Sequence, residues 1–511
     1  MGTIRKARRV SILKSAVFLV WLGTVVFLLS RHENWRDEAQ AWLMVRDLNV
    51  VQLIRQMPYE GHPCLWHLIL MPFAKLGLPY RSSNAVSLVL VAIAAALLIW
   101  KSPIPLTWQV PVLFGSAFLY FMPVITRSYA LVPPLVLLCA LLYRDRRRRP
   151  LAYGLSVALL VQIHVYLLPF AGALSLFWLA EALTAFRQDR DSRLLLRQGA
   201  GLMLPFISLL LFLAQVSGAK KSSAFSIDWE SLFSPRVLLN QKNIGIFGLK
   251  MRNMDGAVPA ILLTKPRLSF LLILFVLLVP AALLLLAALR KHRGEVTKAA
   301  AIYLLTVMGE LGLTLLLGRS ALQKTAILAF FPIWLLWVIW PELQENRTLR
   351  RLALSAYAGV ALFFLVLNSA AVFDINGCYS DGADCAAFIR ENLPEDAVIF
   401  QNTTSYSSSV VAYLDAKGFY SLESGELESY AKWVEREPTV TDYESFCALA
   451  RQANPNAERA YLLIQMDTIG PYTEILDHAE EDFLVYSTFA EKDPPPMECY
   501  ILLQIPIQAE N

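Results

Sequence analysis

RHENWRDEAQAWLMVRDLNVVQLIRQMPYEGHPCLWH, residues 31–67, decides how the rest of this chain is read. It is polar, charged and aromatic, yet it lies between two apolar runs long enough to enter a bilayer. Asp37 and Glu38 stand side by side just past the first run, and Glu60-Gly61-His62-Pro63 stands just before the second. Both ends of the loop therefore bring ionisable groups to one interface. Between them Trp42, Leu43, Val45, Leu48, Val51, Leu53 and Ile54 recur at helical spacing, with Arg46, Asp47, Gln52 and Arg55 on other faces. Residues 39–57 are expected to form one helix lying on the membrane.

Composition supports this frame. Of 511 residues 56% are hydrophobic and 17% charged, against about 25% charged in soluble proteins. The fold class expected is a polytopic α-helical membrane protein. The net charge of +5 resides in short Arg/Lys clusters between apolar runs, which orient a membrane protein and do not indicate nucleic acid as a partner.

The first run, 10–30, follows a basic start and is followed by Arg31, His32 and Glu33 with no small-residue cleavage site. At roughly 20 residues it is long enough to span, so a retained helix is expected, with a cytoplasmic N-terminus and loop 31–62 outside. Further apolar runs lie at 63–79, 83–100, 105–122, 126–143, 150–166, 168–184, 198–217, 268–290, 298–318, 321–341 and 352–373. Basic clusters at 144–149, 187–197, 290–293 and 347–351 are expected in the cytoplasm. Four runs between 63 and 143 make an even number where parity demands an odd one. The Pro-punctuated 104–123 stretch is expected not to cross, giving about 11 crossings.

Residues 1–375 thus form a transmembrane domain, with 217–267 a long outer loop suited to a lid. From 376 to 511 the composition becomes that of a soluble protein. Strand-like runs at 397–401, 461–465, 483–486 and 500–505 and helical spacing at 384–392, 408–416 and 443–452 predict a small extracytoplasmic α/β domain. It has no phosphate loop, nucleophile elbow or metal-ligand spacing, so support or substrate handling is its expected role. Cys378, Cys385, Cys447 and Cys499 lie there; a disulfide and unbridged thiols both remain open. Cys64 and Cys139 read as packing residues.

The segments Arg36-Asp37-Glu38-Ala39-Gln40-Ala41-Trp42 and Glu60-Gly61-His62-Pro63-Cys64-Leu65-Trp66, set between a first and second helix, resemble the GT-C superfamily of integral-membrane glycosyltransferases. The likeness is to the branch of protein O-mannosyltransferase-like and lipid A aminoarabinose transferase-like enzymes. Arg127-Ser128-Tyr129-Ala130-Leu131 resembles that branch's Arg-x-Tyr-Ala segment, and His164 stands in a third similar stretch, Gln162 to Tyr166. The likeness extends over the first 375 residues as architecture, and its motifs over a few dozen. Cys64 replaces the second proline many relatives carry, and the tail holds no motif of the family.

What the resemblance implies is transfer of a sugar from a polyprenyl-phosphate donor to an extracytoplasmic cell-wall polymer, glycolipid or protein acceptor, with inversion. Such a transfer needs a base for the acceptor proton and cations for the departing phosphate. Asp37 is the candidate general base, with Glu38 positioning the acceptor or Asp37. Both acids would equally suit the N-terminal dipole of a helix.

Arg36, Trp42, Glu60, His62, Arg127, Tyr129, His164 and Lys324 are the candidate substrate-binding residues. For Arg127 the alternative is snorkelling to headgroups, for His164 a packed core histidine, for His62 a helix-start turn, and for Arg319 and Lys324 plain interfacial anchoring. A divalent metal is compatible with such enzymes but not indicated, because an acidic pair is not a coordination set. The competing function is a transporter or flippase of lipid-linked glycans, which would call for inverted repeats and mid-membrane charges such as Glu310. No repeat is found.

Overall fold

The computed structural model describes residues 2–217, 266–317, 322–376, 379–434, 437–464, 469–478, 484–487 and 498–507. The expected outer loop 217–267 falls almost wholly outside them, as do Arg319 and Cys378.

Among the described residues eight helices are long and apolar enough to cross a bilayer: Arg8–Arg31, Ser82–Lys101, Val165–Asp189, Ser192–Val216, Leu271–Arg290, Gly294–Thr314, Ala326–Gln344 and Arg347–Ile375. In chain order the elements of the bundle are α1 (Gly2–Arg31), α2 (Arg36–Asp47), α3 (Val50–Glu60), α4 (Leu65–Lys75), α5 (Ser82–Lys101), α6 (Leu106–Leu113), α7 (Val132–Tyr143) and α8 (Pro150–Val161). They continue with α9 (Leu168–Asp189), α10 (Ser192–Val216), α11 (Pro266–Arg290), α12 (Gly294–Leu317), α13 (Phe330–Gln344), α14 (Arg347–Val366) and α15 (Ser369–Asn376).

Basic clusters gather at one end of this bundle. Arg144 bonds Glu342 at 2.6 Å, Arg146 bonds Glu181 at 2.6 Å, and Arg293 bonds Glu345 at 3.2 Å. Lys291 reaches Asn346 at the same end. The loop 31–67 lies at the other end. Close helix approach helps hold the bundle together. A Cβ on Gly154 of α8 would lie 2.1 Å from the carbonyl oxygen of Gly201 on α10, so only glycine fits there, the small-residue contact common between membrane helices.

Two sequence expectations need correction. Residues 39–57 are not one surface helix. Asn49 restarts the chain with a capping box, accepting from Gln52 N–H at 3.0 Å while its own N–H donates to Gln52 Oε1 at 2.9 Å, and this separates α2 from α3. Residues 38–45 of α2 are all buried in protein, so α2 does not rest on lipid. The stretch that fails to cross is 65–75, not 104–123. α4 has 11 residues, about 16 Å against the roughly 30 Å of a hydrocarbon core.

Both ends of α4 stay at the loop end, with His67 stacked on His62 and Lys75 Nζ donating to the Arg46 carbonyl. The 104–123 stretch instead climbs from Trp108, whose carbonyl takes the Tyr357 hydroxyl, to Tyr120 beside Asp374 at the loop end. Broken by Pro111 and a π turn at Ala117–Phe121, it is packed against protein, where irregular backbone is tolerated.

The tail forms a six-stranded sheet of order β3-β2-β1-β4-β6-β5. The strands are β1 (Val398–Gln401), β2 (Phe419–Ser421), β3 (Leu427–Glu428), β4 (Arg459–Ile464), β5 (Leu484–Ser487) and β6 (Ile501–Pro506). β1 runs parallel to β2 and β4, and the other pairs are antiparallel. Phe400 lies opposite Leu462 and Leu462 opposite Leu503, placing an apolar row across the sheet centre. Helices α16 (Gly382–Asn392), α17 (Thr404–Leu414) and α18 (Tyr443–Ala453) pack with it. β2 and β3, of three and two residues, were too short to stand out in the sequence. Cys385 and Cys447 are buried thiols.

Candidate functional site

α2 starts at Arg36, so Asp37 and Glu38 both lie in its first turn, but adjacent helical residues point about 100° apart and their side chains enter different surroundings. Asp37 Oδ2 accepts from Arg127 Nη1 at 2.6 Å, and its side chain is 24% exposed. Arg36 Nε stands 3.9 Å from the other oxygen. Burial alone would raise the Asp37 pKa, but Arg127 first, then Arg36 and Lys324, hold it below the usual carboxylate value. Asp37 is therefore an ionised carboxylate among cations.

A wall of rings continues from this pair. Arg127 lies over Tyr129 (5.7 Å), Tyr129 meets His164 (5.3 Å), and His164 stacks on Tyr166 (5.0 Å). Lys324 Nζ sits over the Tyr166 ring at 5.5 Å. His62 stacks on His67 at 5.4 Å and comes within 6.4 Å of His164. Burial, then Arg127, pushes the His62 pKa down to about 4, so it is a neutral imidazole at physiological pH. Among the described residues, the buried Tyr129 hydroxyl and His67 Nδ1 have no hydrogen-bond partner.

Glu38 faces the other way and is wholly buried. Its Oε2 accepts from the Trp35 N–H at 3.0 Å and lies 3.0 Å from His32 Nε2, while Oε1 accepts from the Thr126 N–H. His32 Nδ1 in turn lies 2.8 Å from Asp374 Oδ2, which also accepts from the Tyr120 hydroxyl at 2.9 Å. Burial works against a charge on His32, but Asp374 and Glu38 outweigh it and lift the pKa to about 10.

Glu60 closes the far side. Gln40 Nε2 donates to Glu60 at 2.9 Å and to the Ala431 carbonyl at 2.8 Å, while Ala431 N–H donates back to Gln40 Oε1 at 2.9 Å. Burial raises the Glu60 pKa to about 7 against the bond from Gln40. The tail domain also reaches Arg36. Glu498 accepts the Arg36 backbone N–H at 3.1 Å and lies 3.4 Å from its Nε, and Tyr406 lies 4.0 Å beneath the guanidinium. The small domain is thus docked on the helix that carries the acidic pair.

Of the residues singled out from sequence, Asp37, Arg36, Arg127, Tyr129, His62, His164, Lys324 and Glu60 are gathered here. Trp42 is not among them: it is 2% exposed and packs on Tyr80 in the core. Glu38 belongs to the separate buried network. Sequence reasoning passed over His32, Gln40, His67, Asp374, Tyr406 and Glu498. Asp374 carried a signal, an acid at the end of an apolar run, where ionisable residues rarely lie without a task. Among the described residues no three His, Cys, Asp or Glu side chains form a metal-type group.

Residues 83–257 match the family described as a domain of unknown function, DUF6311. No curated protein matches the sequence. Among solved structures the chain is similar to ArnT from Cupriavidus metallidurans in the apo state, with 13% identity, 98% of each chain covered and a TM-score of 0.48. It is likewise similar to ArnT from the same organism bound to undecaprenyl phosphate, with 13% identity, 97% of each chain covered and a TM-score of 0.47.

Proposed function

We propose that this chain is a membrane glycosyltransferase that takes a sugar from a polyprenyl-phosphate donor and passes it to a hydroxyl or amine of an acceptor outside the membrane. The inferred orientation sets the basic end of the bundle toward the cytoplasm and, with it, loop 31–67 and the tail domain toward the outer side. Asp37 accepts the acceptor proton as the acceptor bonds the anomeric carbon and the sugar–phosphate bond breaks. Arg127, Arg36 and Lys324 neutralise the phosphate that leaves.

The observation that carries this reading is the Asp37–Arg127 pair, 2.6 Å apart and a quarter exposed, with Arg36 and Lys324 beside it. A phosphate competes with Asp37 for Arg127. Its arrival relieves the carboxylate of its strongest counter-charge and makes it a better base when the acceptor is due. The place for a lipid tail adjoins. Leu328, one helical turn from Lys324, helps line an apolar groove of about 270 Å³ with Ile273, Val276 and Leu277 of α11 and Val360 and Phe363 of α14.

The test is transfer of label from a panel of polyprenyl-phosphate sugars to acceptors in membranes holding wild type or Asp37→Asn. Transfer by wild type and its loss in the variant are expected. A wild type that transfers from no donor yet moves lipid-linked sugar across vesicles would make the chain a transporter.

A further inference from the structure

Asp37 and Arg127 come from segments 90 residues apart, so some structure must hold their separation constant. The Glu38 carboxylate bridges the two segments. One oxygen takes the N–H of Trp35, at the start of α2 two residues before Asp37. The other takes the N–H of Thr126, the residue next to Arg127. A carboxylate on a rotatable side chain holds such a bridge only if its own position is fixed, and His32 meets it at 3.0 Å. With both ring nitrogens of His32 on carboxylate oxygens, the imidazole carries both protons. Asp374 supplies the second carboxylate, 342 residues further on, and is held by the Tyr120 hydroxyl from the stretch that leads into Thr126.

We propose that His32 and Asp374 are positioning residues, which lock the Glu38 carboxylate so that it clamps the backbone before Asp37 to the backbone before Arg127. This deepens the proposed function, on which it rests. The network touches no opening, with His32 and Glu38 side chains 0% and Asp374 3% exposed, so it acts through Asp37 and Arg127 and not on substrate. A buried charge triad that merely joined helices would not need to converge on these two amides.

The experiment uses the full-length protein in membranes or nanodiscs with the donor that wild type uses in the transfer assay. His32→Asn and Asp374→Asn are compared with wild type for folded yield, thermal stability, kcat, donor KM and the pH dependence of kcat/KM. A displacement of about 1 Å in a reacting geometry costs on the order of 10²-fold in rate. A kcat drop of about tenfold to a hundredfold per folded molecule is expected. The acid limb should also move to higher pH, because Asp37 loses contact with Arg127, while Arg36, Lys324, His62 and Glu60 around it are unchanged. In an Asp37→Asn background His32→Asn should cost nothing further.

Variants that lose stability but keep kcat per folded molecule and the wild-type acid limb overturn the inference, as does a full additive loss on top of Asp37→Asn. If Asp37→Asn abolishes transfer and His32→Asn leaves it intact, the clamp falls and the proposed function stands. A wild type without transfer overturns both.

Discussion

Asp37 Oδ2 and Arg127 Nη1 meet at 2.6 Å, with the two side chains 24% and 23% exposed. This partly open pair contrasts with the sealed contact between His32 and Glu38, the residue next to Asp37. If Asp37 is the base and Arg127 binds the donor phosphate, as proposed, the pair restrains the base until the donor arrives, and that restraint can be measured.

Replacing Asp37 by Asn removes the proposed proton acceptor while keeping size and polarity. Loss of general base catalysis is worth about 10²- to 10⁴-fold in rate, so kcat should fall in that range. Donor KM should hold or fall, since Arg127 no longer has an internal anion to share. Because the folded pKa of Asp37 is depressed, the carboxylate persists as pH falls through the ordinary range. Wild-type kcat/KM should therefore lose activity only below the usual carboxylate pKa. Steady-state transfer across pH reads both effects.

Arg127→Gln attacks the other partner. Hydrogen bonds to charged groups contribute about 1.5–3 kcal/mol, so donor KM should rise roughly tenfold to a hundredfold with folded yield retained. The acid limb should also move upward, Arg127 being the largest opposite charge on Asp37. Unchanged donor use would remove Arg127 from the site.

Docking of the tail domain depends on Gln40, which exchanges two hydrogen bonds with Ala431 and donates to Glu60. Gln40→Ala leaves the Ala431 N–H buried without its acceptor, a cost of about 1–3 kcal/mol. Limited proteolysis should cut the tail from the variant faster than from wild type. Equal rates would show that the contact carries no docking energy.

Glu498 gives this docking a pH dependence. Burial, opposed by Arg36, raises its pKa from 4.5 to about 7. The folded state thus binds a proton that the unfolded chain releases, and stability from this group is full below pH 4.5 and lost as pH rises through 7. Thermal unfolding of detergent-purified wild type should show that decline, and Glu498→Gln should make it shallower, Glu60 with its pKa near 7 contributing the remainder. A Gln variant with the wild-type slope would assign the decline to other groups.

The sequence made the architecture legible wherever length and charge act locally. The basic clusters at 144–149 and 290–293 both lie at one end of the bundle, and the tail strands at 398–401 and 459–464 lie within two residues of where brief apolar and β-branched runs placed them. Parity called for one of the four runs between 63 and 143 not to cross, and the prolines pointed to 104–123 rather than 65–75. The deciding contacts, Lys75 with the Arg46 carbonyl and Tyr120 with Asp374, belong to the fold. In the site, Asp37 and Arg127 stood out because a charge beside apolar sequence is costly. His32 and Asp374 did not, for their meaning lies in a contact across 342 residues. For Glu38 the sequence offered a positioning role beside Asp37, but not the buried His32 that it meets.

The apolar groove lined by Leu328 makes the last prediction. If it receives the donor's isoprenoid tail, an obstruction should penalise long-chain donors and spare short ones. Leu328 lines the groove and is 4% exposed, and Leu328→Trp would fill part of its 270 Å³. Burial is worth about 0.8 kcal/mol per methylene, so losing the seat of one isoprene unit should raise the KM of a full-length polyprenyl-phosphate sugar on the order of tenfold or more. A dimethylallyl-phosphate sugar, whose single isoprene unit leaves most of the groove empty, should keep its wild-type KM. Overpacking costs about 1–3 kcal/mol of stability, which would lower activity toward both donors alike, so the ratio of the two KM values isolates the groove. An unchanged ratio would place the tail elsewhere on the bundle.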